Sequence, residues 1–241
     1  MSNSSLVTYT RISPNNSGRR THAIDRITPH CVVGQFTAAN IAACFASPAR
    51  QASCNYGIGV DGGVALVVNE DCRSWCSSSA PNDQRAVTIE CASDTETPYA
   101  MRSKVYKKLV ALCVDICRRN GKTKLLWLGS ATKALNYNPK SDEMVITCHR
   151  WFAPKACPGD WLYCRLDKLA AEVTQKLSGD KAYKVQIIKT VNVRKKPRKA
   201  SRKVMTLYPE GVYTIVKKNK KWGKLKSGAG WIYLPYTKKV K

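Results

Sequence analysis

The chain has 241 residues, 44% of them hydrophobic, which excludes a disordered polymer and leaves room for one large domain or two small ones. Its 41 Lys and Arg outnumber 16 Asp and Glu, and the excess is uneven: residues 1–177 carry a net +8 and residues 178–241 a net +17. The basic end therefore wants an anionic partner, and charge alone leaves nucleic acid, an anionic membrane surface and an acidic cell wall open. No stretch approaches the roughly 20 apolar residues of a membrane span.

The first 25 residues are polar and read as an arm that orders on contact. Ile27 to Gly34 predicts a buried strand, and Ala38 to Ala46 a short helix closed by Ser47-Pro48. Ala52 to Val60 and Gly63 to Asn69 predict two strands joined at the tight-turn signal Asp61-Gly62-Gly63. Arg85 to Cys91 alternates and is another strand. The clearest helix runs from Pro98 to about Asn120, with Thr97 as cap and Pro98 in the first turn, where a missing N–H costs nothing. Met101, Val105, Leu109, Leu112 and Ile116 form its apolar face, and Gly121 follows as a stop. Met144 to Cys148 is a strand that delivers His149, and Trp161 to Leu177 is a second helix capped by Asp160. Alternation of this kind indicates an α/β domain.

Ser178-Gly179-Asp180 ends that helix, and residues 178–182 are expected to be a linker. From 183 to 241 the texture changes to short strands: Tyr183–Lys189, Val191–Arg194, Lys203–Tyr208, Gly211–Lys217, Trp222–Leu225 and Gly230–Leu234. Some 60 residues of short strands separated by turn residues suggest a small barrel.

The chain holds three histidines, His22, His30 and His149, and eleven cysteines. His149 and Cys157 stand eight residues apart, with Pro158-Gly159 at once behind them. Imidazole and thiolate both suit zinc, and a His30, His149, Cys157 set would leave a fourth position open for a reactive water. The plain alternative is a satisfied core histidine with inert thiols; Cys113 and Cys117, a helical turn apart on an apolar face, fit that inert role, as do Cys31 and Cys148. The start Met-Ser-Asn-Ser-Ser lacks the basic and apolar stretches of a secretory signal, so a reducing compartment with free or metal-bound thiols is expected.

Residues 25–177 resemble the zinc-dependent N-acetylmuramoyl-L-alanine amidases, which share their fold with peptidoglycan-recognition proteins and amidase-type phage lysozymes. The resemblance rests on motifs in order: Ile27-Thr28-Pro29-His30; Ser53 to Gly62 with Tyr56; Arg73-Ser74-Trp75-Cys76; Asn82 to Glu90; and His149 with Lys155 and Cys157 before Pro-Gly. Asn55 and Cys76 stand where many members have His, and neither is a ligand position in the family. The resemblance implies a mixed central sheet flanked by helices over residues 26–177. It also implies one zinc ion on His30, His149 and Cys157, with Glu90 as general base or proton shuttle. Lys155 becomes the oxyanion-stabilising cation and Tyr56 a hydrogen-bond donor to the same oxygen or to the water.

Residues 183–241 resemble bacterial SH3-like wall-binding domains through Val191-Asn192-Val193-Arg194, Leu207 to Gly211, Trp222-Gly223-Lys224-Leu225 and Gly228 to Ile232. Trp222, Trp231, Tyr233 and Tyr236 are the candidate wall-binding aromatics. The implied protein is a phage endolysin or autolysin that hydrolyses the bond between N-acetylmuramic acid and L-alanine. Its expected partners are bacterial peptidoglycan and, through the basic end, anionic wall polymers, with no nucleic acid. The absent signal points to synthesis in the host cytoplasm and passage to the wall through a holin-type lesion. The rival expectations are a zinc endopeptidase of the stem peptide or cross-bridge, a non-catalytic peptidoglycan binder, a cysteine hydrolase and a nucleic-acid-binding protein.

Overall fold

A computed structural model describes residues 3–178 and 182–240. The chain divides into two units, Met1–Leu177 and Ser178–Lys241. The expected linker at 178–182 falls largely outside the described residues.

The first unit runs β1 (Tyr9–Thr10), β2 (Asn16–Arg19), β3 (Arg26–Cys31), α1 (Ala38–Ala43), β4 (Tyr56–Ile58), β5 (Val64–Leu66), β6 (Cys72–Ser74), α2 (Ala80–Arg85), β7 (Ala86–Cys91), α3 (Ser103–Arg119), β8 (Lys124–Leu126), α4 (Ala131–Leu135), β9 (Glu143–Ile146), α5 (Asp160–Tyr163) and α6 (Leu166–Leu177). Its seven-stranded sheet has the order β1-β5-β4-β7-β3-β9-β8. Every pairing is parallel except β4 with β5, which the Asp61-Gly62-Gly63 turn joins as a hairpin. The parallel strands β3, β7 and β9 therefore all end at one edge of the sheet, the edge at which open α/β sheets place their ligands.

The core follows the apolar stripes. Val105, Leu109, Leu112 and Ile116 of α3 pack with Leu166, Leu169 and Val173 of α6 against Ile27, Val87, Ile89 and Tyr56 on one sheet face. The opposite face carries Ile41 and Ala42 of α1 with Phe45, Cys54 and Val67. Cys31, Cys113, Cys117 and Cys148 are buried.

Three boundaries differ from the sequence reading. The N-terminal segment is not a free arm: β1 pairs with β5, and Ser4, Ser13 and Asn15 are buried. Hydrogen bonds offset that burial, among them Ser13 Oγ donating to the Phe45 carbonyl at 2.5 Å and the Ser4 amide to the Tyr56 hydroxyl at 2.9 Å. Helix α3 starts at Ser103 rather than Pro98, because Tyr99 has φ +59°, a left-handed conformation that ends a turn whose amide donates to the Glu96 carbonyl. The second helix is two helices: the Arg165 guanidinium folds over the Trp161 ring, 4.3 Å away, and donates to the Trp161 carbonyl, capping α5 before α6 begins.

The second unit consists of β10 (Tyr183–Ile187), β11 (Val191–Arg194), β12 (Lys203–Leu207), β13 (Val212–Asn219), β14 (Trp222–Leu225), β15 (Trp231–Tyr233) and β16 (Thr237–Val240), the last of which the sequence reading did not include. They form one antiparallel sheet of order β12-β11-β15-β14-β13-β10-β16. Val185, Ile187, Val191, Val193, Leu207, Ile215, Leu225 and Ile232 point inward as the alternation predicts and form the core. Gly230 lets β15 approach β11, since a Cβ there would lie 2.5 Å from the Arg194 carbonyl oxygen.

Candidate metal centre and active site

Parallel pairing builds the site at the carboxyl edge. His30 of β3 lies beside Glu90 of β7 in register, and β9 leads within three residues to His149. One residue pair upstream on each strand, the Thr28 and Thr147 hydroxyls meet at 2.7 Å, and the Asn82 side chain of α2 bonds both, at 3.1 and 3.0 Å. Because Thr28 and Thr147 each stand two residues before a histidine, this buried knot fixes the distance between the strands that carry them.

The two imidazoles lie with centroids 5.1 Å apart. Cys157 reaches them from the loop after β9, its Sγ 3.1 Å from His30 Nδ1. That loop is held by the Cys157 carbonyl, which accepts from the Arg150 amide at 3.1 Å. It is also held by Gly159, whose φ of +80° brings the backbone against Tyr99. One donor atom from each of His30, His149 and Cys157 falls within 4.8 Å of the others. Burial, and His149 second, push the His30 imidazole well below its usual range; burial and then Lys155 lower that of His149. Both rings are thus biased to the neutral form that ligates metal. Burial, then the Cys31 thiol, pushes the Cys157 thiol up, a penalty that a bound cation would reverse.

Glu90 lies next to this trio, its Oε1 3.9 Å from His30 Nδ1 and 3.9 Å from Cys76 Sγ. Burial pushes its carboxyl up to about 7, against the opposing pull of the Cys76 thiol and Arg50. Seven buried polar atoms have no hydrogen-bond partner among the described residues, and two of them, His30 Nε2 and Glu90 Oε2, belong to this site. Unsatisfied buried groups of this kind are costly, and a metal-bound water would give the Glu90 oxygen a partner. Two nitrogens and a sulfur at this spacing fit zinc. A second group, His30, Cys76 and Glu90, meets the same spacing and shares His30 with the first.

The site opens into a groove of about 470 Å³ whose walls include Arg50, Arg73, Trp75, Ser78, His149 and Lys155. Lys155 and His149 both line this groove. The Ser78 hydroxyl sits 2.9 Å from His149 Nε2 and orients that ring. Ser78, Arg50, Arg73 and Cys54 of this neighbourhood went unassigned in the sequence. Ser78 is held there by φ +62° and by a loop whose Cys76 and Ser77 amides donate to the Asp83 carboxylate, a geometry with no linear signature.

Tyr56 is a correction. Its register partner is Ile89, one residue before Glu90, so its side chain lies on the α3 face with Ile89 while Gly57 faces α1. The ring is fully buried and its hydroxyl donates to Glu70 Oε2 at 2.7 Å, where Arg119 also pairs with Glu70. It is a structural tyrosine on the opposite face of the sheet from the donors. Asn55 is likewise internal: its carboxamide ties Thr88, Ser74, Arg20 and the 68–72 backbone together.

In the second unit, Trp222, Tyr233 and Tyr236 form an edge-to-face ladder with centroids 5.4 Å apart at each step. Trp231 stands on the same strand face beside Lys224 and makes no ring contact with the ladder.

Among the described residues, no helix is long and apolar enough to cross a membrane. No curated protein matches the sequence. Among solved structures, the chain is similar to PlyL (12% identity over 70% of this chain and 95% of that one, TM-score 0.46). It is also similar to a mutant endolysin from Bacillus subtilis (16%, 72% and 99%, 0.47) and to a Se-Met AmpD derivative (19%, 69% and 96%, 0.49). The N-acetylmuramoyl-L-alanine amidase family model matches residues 20–160, more than half of the chain and a span that contains His30, Glu90, His149, Lys155 and Cys157. The chain belongs to the N-acetylmuramoyl-L-alanine amidase family.

Proposed function

We propose that the first unit is a zinc-dependent hydrolase of the amide between N-acetylmuramic acid and L-alanine. The observation that carries the reading is the convergence of His30, His149 and Cys157 within 4.8 Å at the carboxyl edge of β3 and β9, inside the span matched by the amidase family. His30, His149 and Cys157 would hold a single zinc ion, which when bound lowers the pKa of water and polarises a carbonyl. Glu90, beside His30 with a free carboxylate oxygen, takes the proton from the attacking water and returns it to the leaving amine. Lys155 stabilises the negative charge that develops on the carbonyl oxygen; one such donor contributes about 10²–10³ in turnover. With Tyr56 committed to Glu70, this part of the chemistry falls to Lys155 alone among the residues singled out in the sequence.

The second unit serves as an SH3-like wall-binding module, supported by its short antiparallel strands, its charge and the aromatic ladder. An amidase unit followed by such a module is the layout of an endolysin, made in the host cytoplasm and released to the wall through a holin-type lesion.

Digestion of purified peptidoglycan tests the reading through its products. New N-terminal alanine without new reducing sugars, abolished by a zinc chelator, is the expected result. A different N-terminal residue would make the protein an endopeptidase, and undiminished cleavage under chelation would make it a cysteine hydrolase.

A further inference from the structure

The second unit holds 19 Lys and Arg, and among its described residues no cation pairs with a carboxylate. The cations are concentrated rather than scattered. The β11–β12 connection, 194–203, carries Lys195, Lys196, Arg198, Lys199, Arg202 and Lys203, all exposed. It is an ordered loop: the buried Ser201 accepts from the Lys196 amide through its hydroxyl and from the Arg194 guanidinium through its carbonyl, both at 2.8 Å. The β13–β14 turn places Lys220 and Lys221 between the paired residues Asn219 and Trp222. These two basic tips meet at one groove of about 280 Å³, lined by Pro197 from the first and by Asn219, Lys220, Lys221 and Trp222 from the second, with Tyr233 beside them.

We propose that this groove is a binding site for a linear phosphodiester polymer of the cell wall, of the polyol-phosphate kind. Lys220 and Lys221 in the groove wall, with the exposed cations that flank Pro197 in sequence, suit a chain that repeats its negative charge along its length, whereas the carboxylates of a stem peptide are few and local. Phosphodiesters stay charged at every physiological pH, and Arg198 and Arg202 offer the fork geometry that phosphate oxygens accept. Trp222 and Tyr233 in its lining give apolar ring surface for the polyol or a sugar substituent. The choice of a wall polymer over nucleic acid rests on the amidase reading of the first unit; the anionic chemistry of the groove does not.

The test uses the full chain and three probes at one salt concentration: immobilised poly(glycerol phosphate), a short single-stranded oligonucleotide, and polygalacturonate as a carboxylate polymer. It adds cell walls before and after hydrofluoric acid strips their phosphodiester polymers. Lys220→Glu with Lys221→Glu is expected to weaken binding to poly(glycerol phosphate) about tenfold or more. Lys184→Glu with Lys238→Glu, the same change in charge placed on β10 and β16, should weaken it less than about threefold. Arg198→Glu with Lys199→Glu reports on the other basic tip independently, should one pair disturb its turn. Wild-type retention should fall on stripped walls. Equal losses in all pairs would reduce the site to net charge, preference for the oligonucleotide would make it a nucleic-acid site, and full retention on stripped walls would return the ligand to peptidoglycan; each overturns the proposal. Alanine release from stripped peptidoglycan by the same proteins reads the amidase separately, so its failure is not confused with a failure of the groove.

Discussion

The two units use charge in opposite ways. In the first, several ionised groups pair with one another: Arg85 with Asp25, Arg119 with Glu70 and Asp115, and Arg150 with Asp160. Its polar atoms near the site are knotted through Thr28, Asn82 and Thr147, and His30 Nε2 and Glu90 Oε2 are among the buried atoms left without a partner. Among the described residues of the second unit no cation pairs with a carboxylate, and the apolar core is small. A dry, internally satisfied scaffold concentrates unsatisfied valence where chemistry is done; a wet one leaves its field available to a polymer. The first acts at ångström range and the second over a Debye length.

The largest effect that would break this comparison lies in the metal ligands. His149→Ala or Cys157→Ser should lower peptidoglycan hydrolysis about a thousandfold or more, since Lewis-acid stabilisation contributes several kcal/mol. Binding to walls should be unchanged under the proposed assignment of that binding to the second unit. A loss of hydrolysis under tenfold would remove those residues from the chemistry. Lys155→Met should reduce turnover about 10²–10³-fold while leaving the folded unit intact, given the exposure of that loop; unaltered kinetics would make Lys155 an ordinary surface lysine.

Salt separates the units next. Between about 0.1 and 1 M the screening length falls from about 10 to 3 Å. Retention on whole walls should drop about tenfold or more, while hydrolysis of a short soluble muramoyl peptide should change less than about twofold. Parallel losses would mean that the basic unit takes part in the reaction itself. The smallest effect on activity belongs to Tyr56→Phe. It removes a buried hydrogen bond to Glu70 and should cost about 1–3 kcal/mol in denaturant unfolding, with turnover of the folded enzyme preserved. A turnover loss with unaltered stability would restore Tyr56 to the site.

What was legible in the sequence depended on how locally it was encoded. His149 and Cys157 share one loop, so their spacing survives as a linear signal, and the apolar stripe of α3 and the short strands after residue 183 do the same. That His30, more than a hundred residues away, joins them is suggested by the scarcity of histidines and by family resemblance, not by spacing, because parallel pairing of β3 with β7 and β9 has no turn to announce it. That the Tyr56 side chain lies on the face away from the donors is not legible in the sequence for a related reason. In a strand of period two, a shift of one residue exchanges the faces, and the register Tyr56 with Ile89, Gly57 with Glu90, exists only in the sheet. The N-terminal segment was read as a polar arm because Ser4, Ser13 and Asn15 are buried through hydrogen bonds, which hydropathy does not register. The start of α3 was displaced by a single left-handed residue, Tyr99, whose conformation is set by tertiary contact with Gly159.

The most direct measurement is the zinc content of the purified full chain beside two single variants. The account predicts a single zinc per chain in the wild type, lost in Cys157→Ser and kept in Cys76→Ser, because His30, His149 and Cys157 form the centre rather than His30, Cys76 and Glu90. Zinc retained in Cys157→Ser but lost in Cys76→Ser, or no zinc in the wild type after zinc loading, would contradict it.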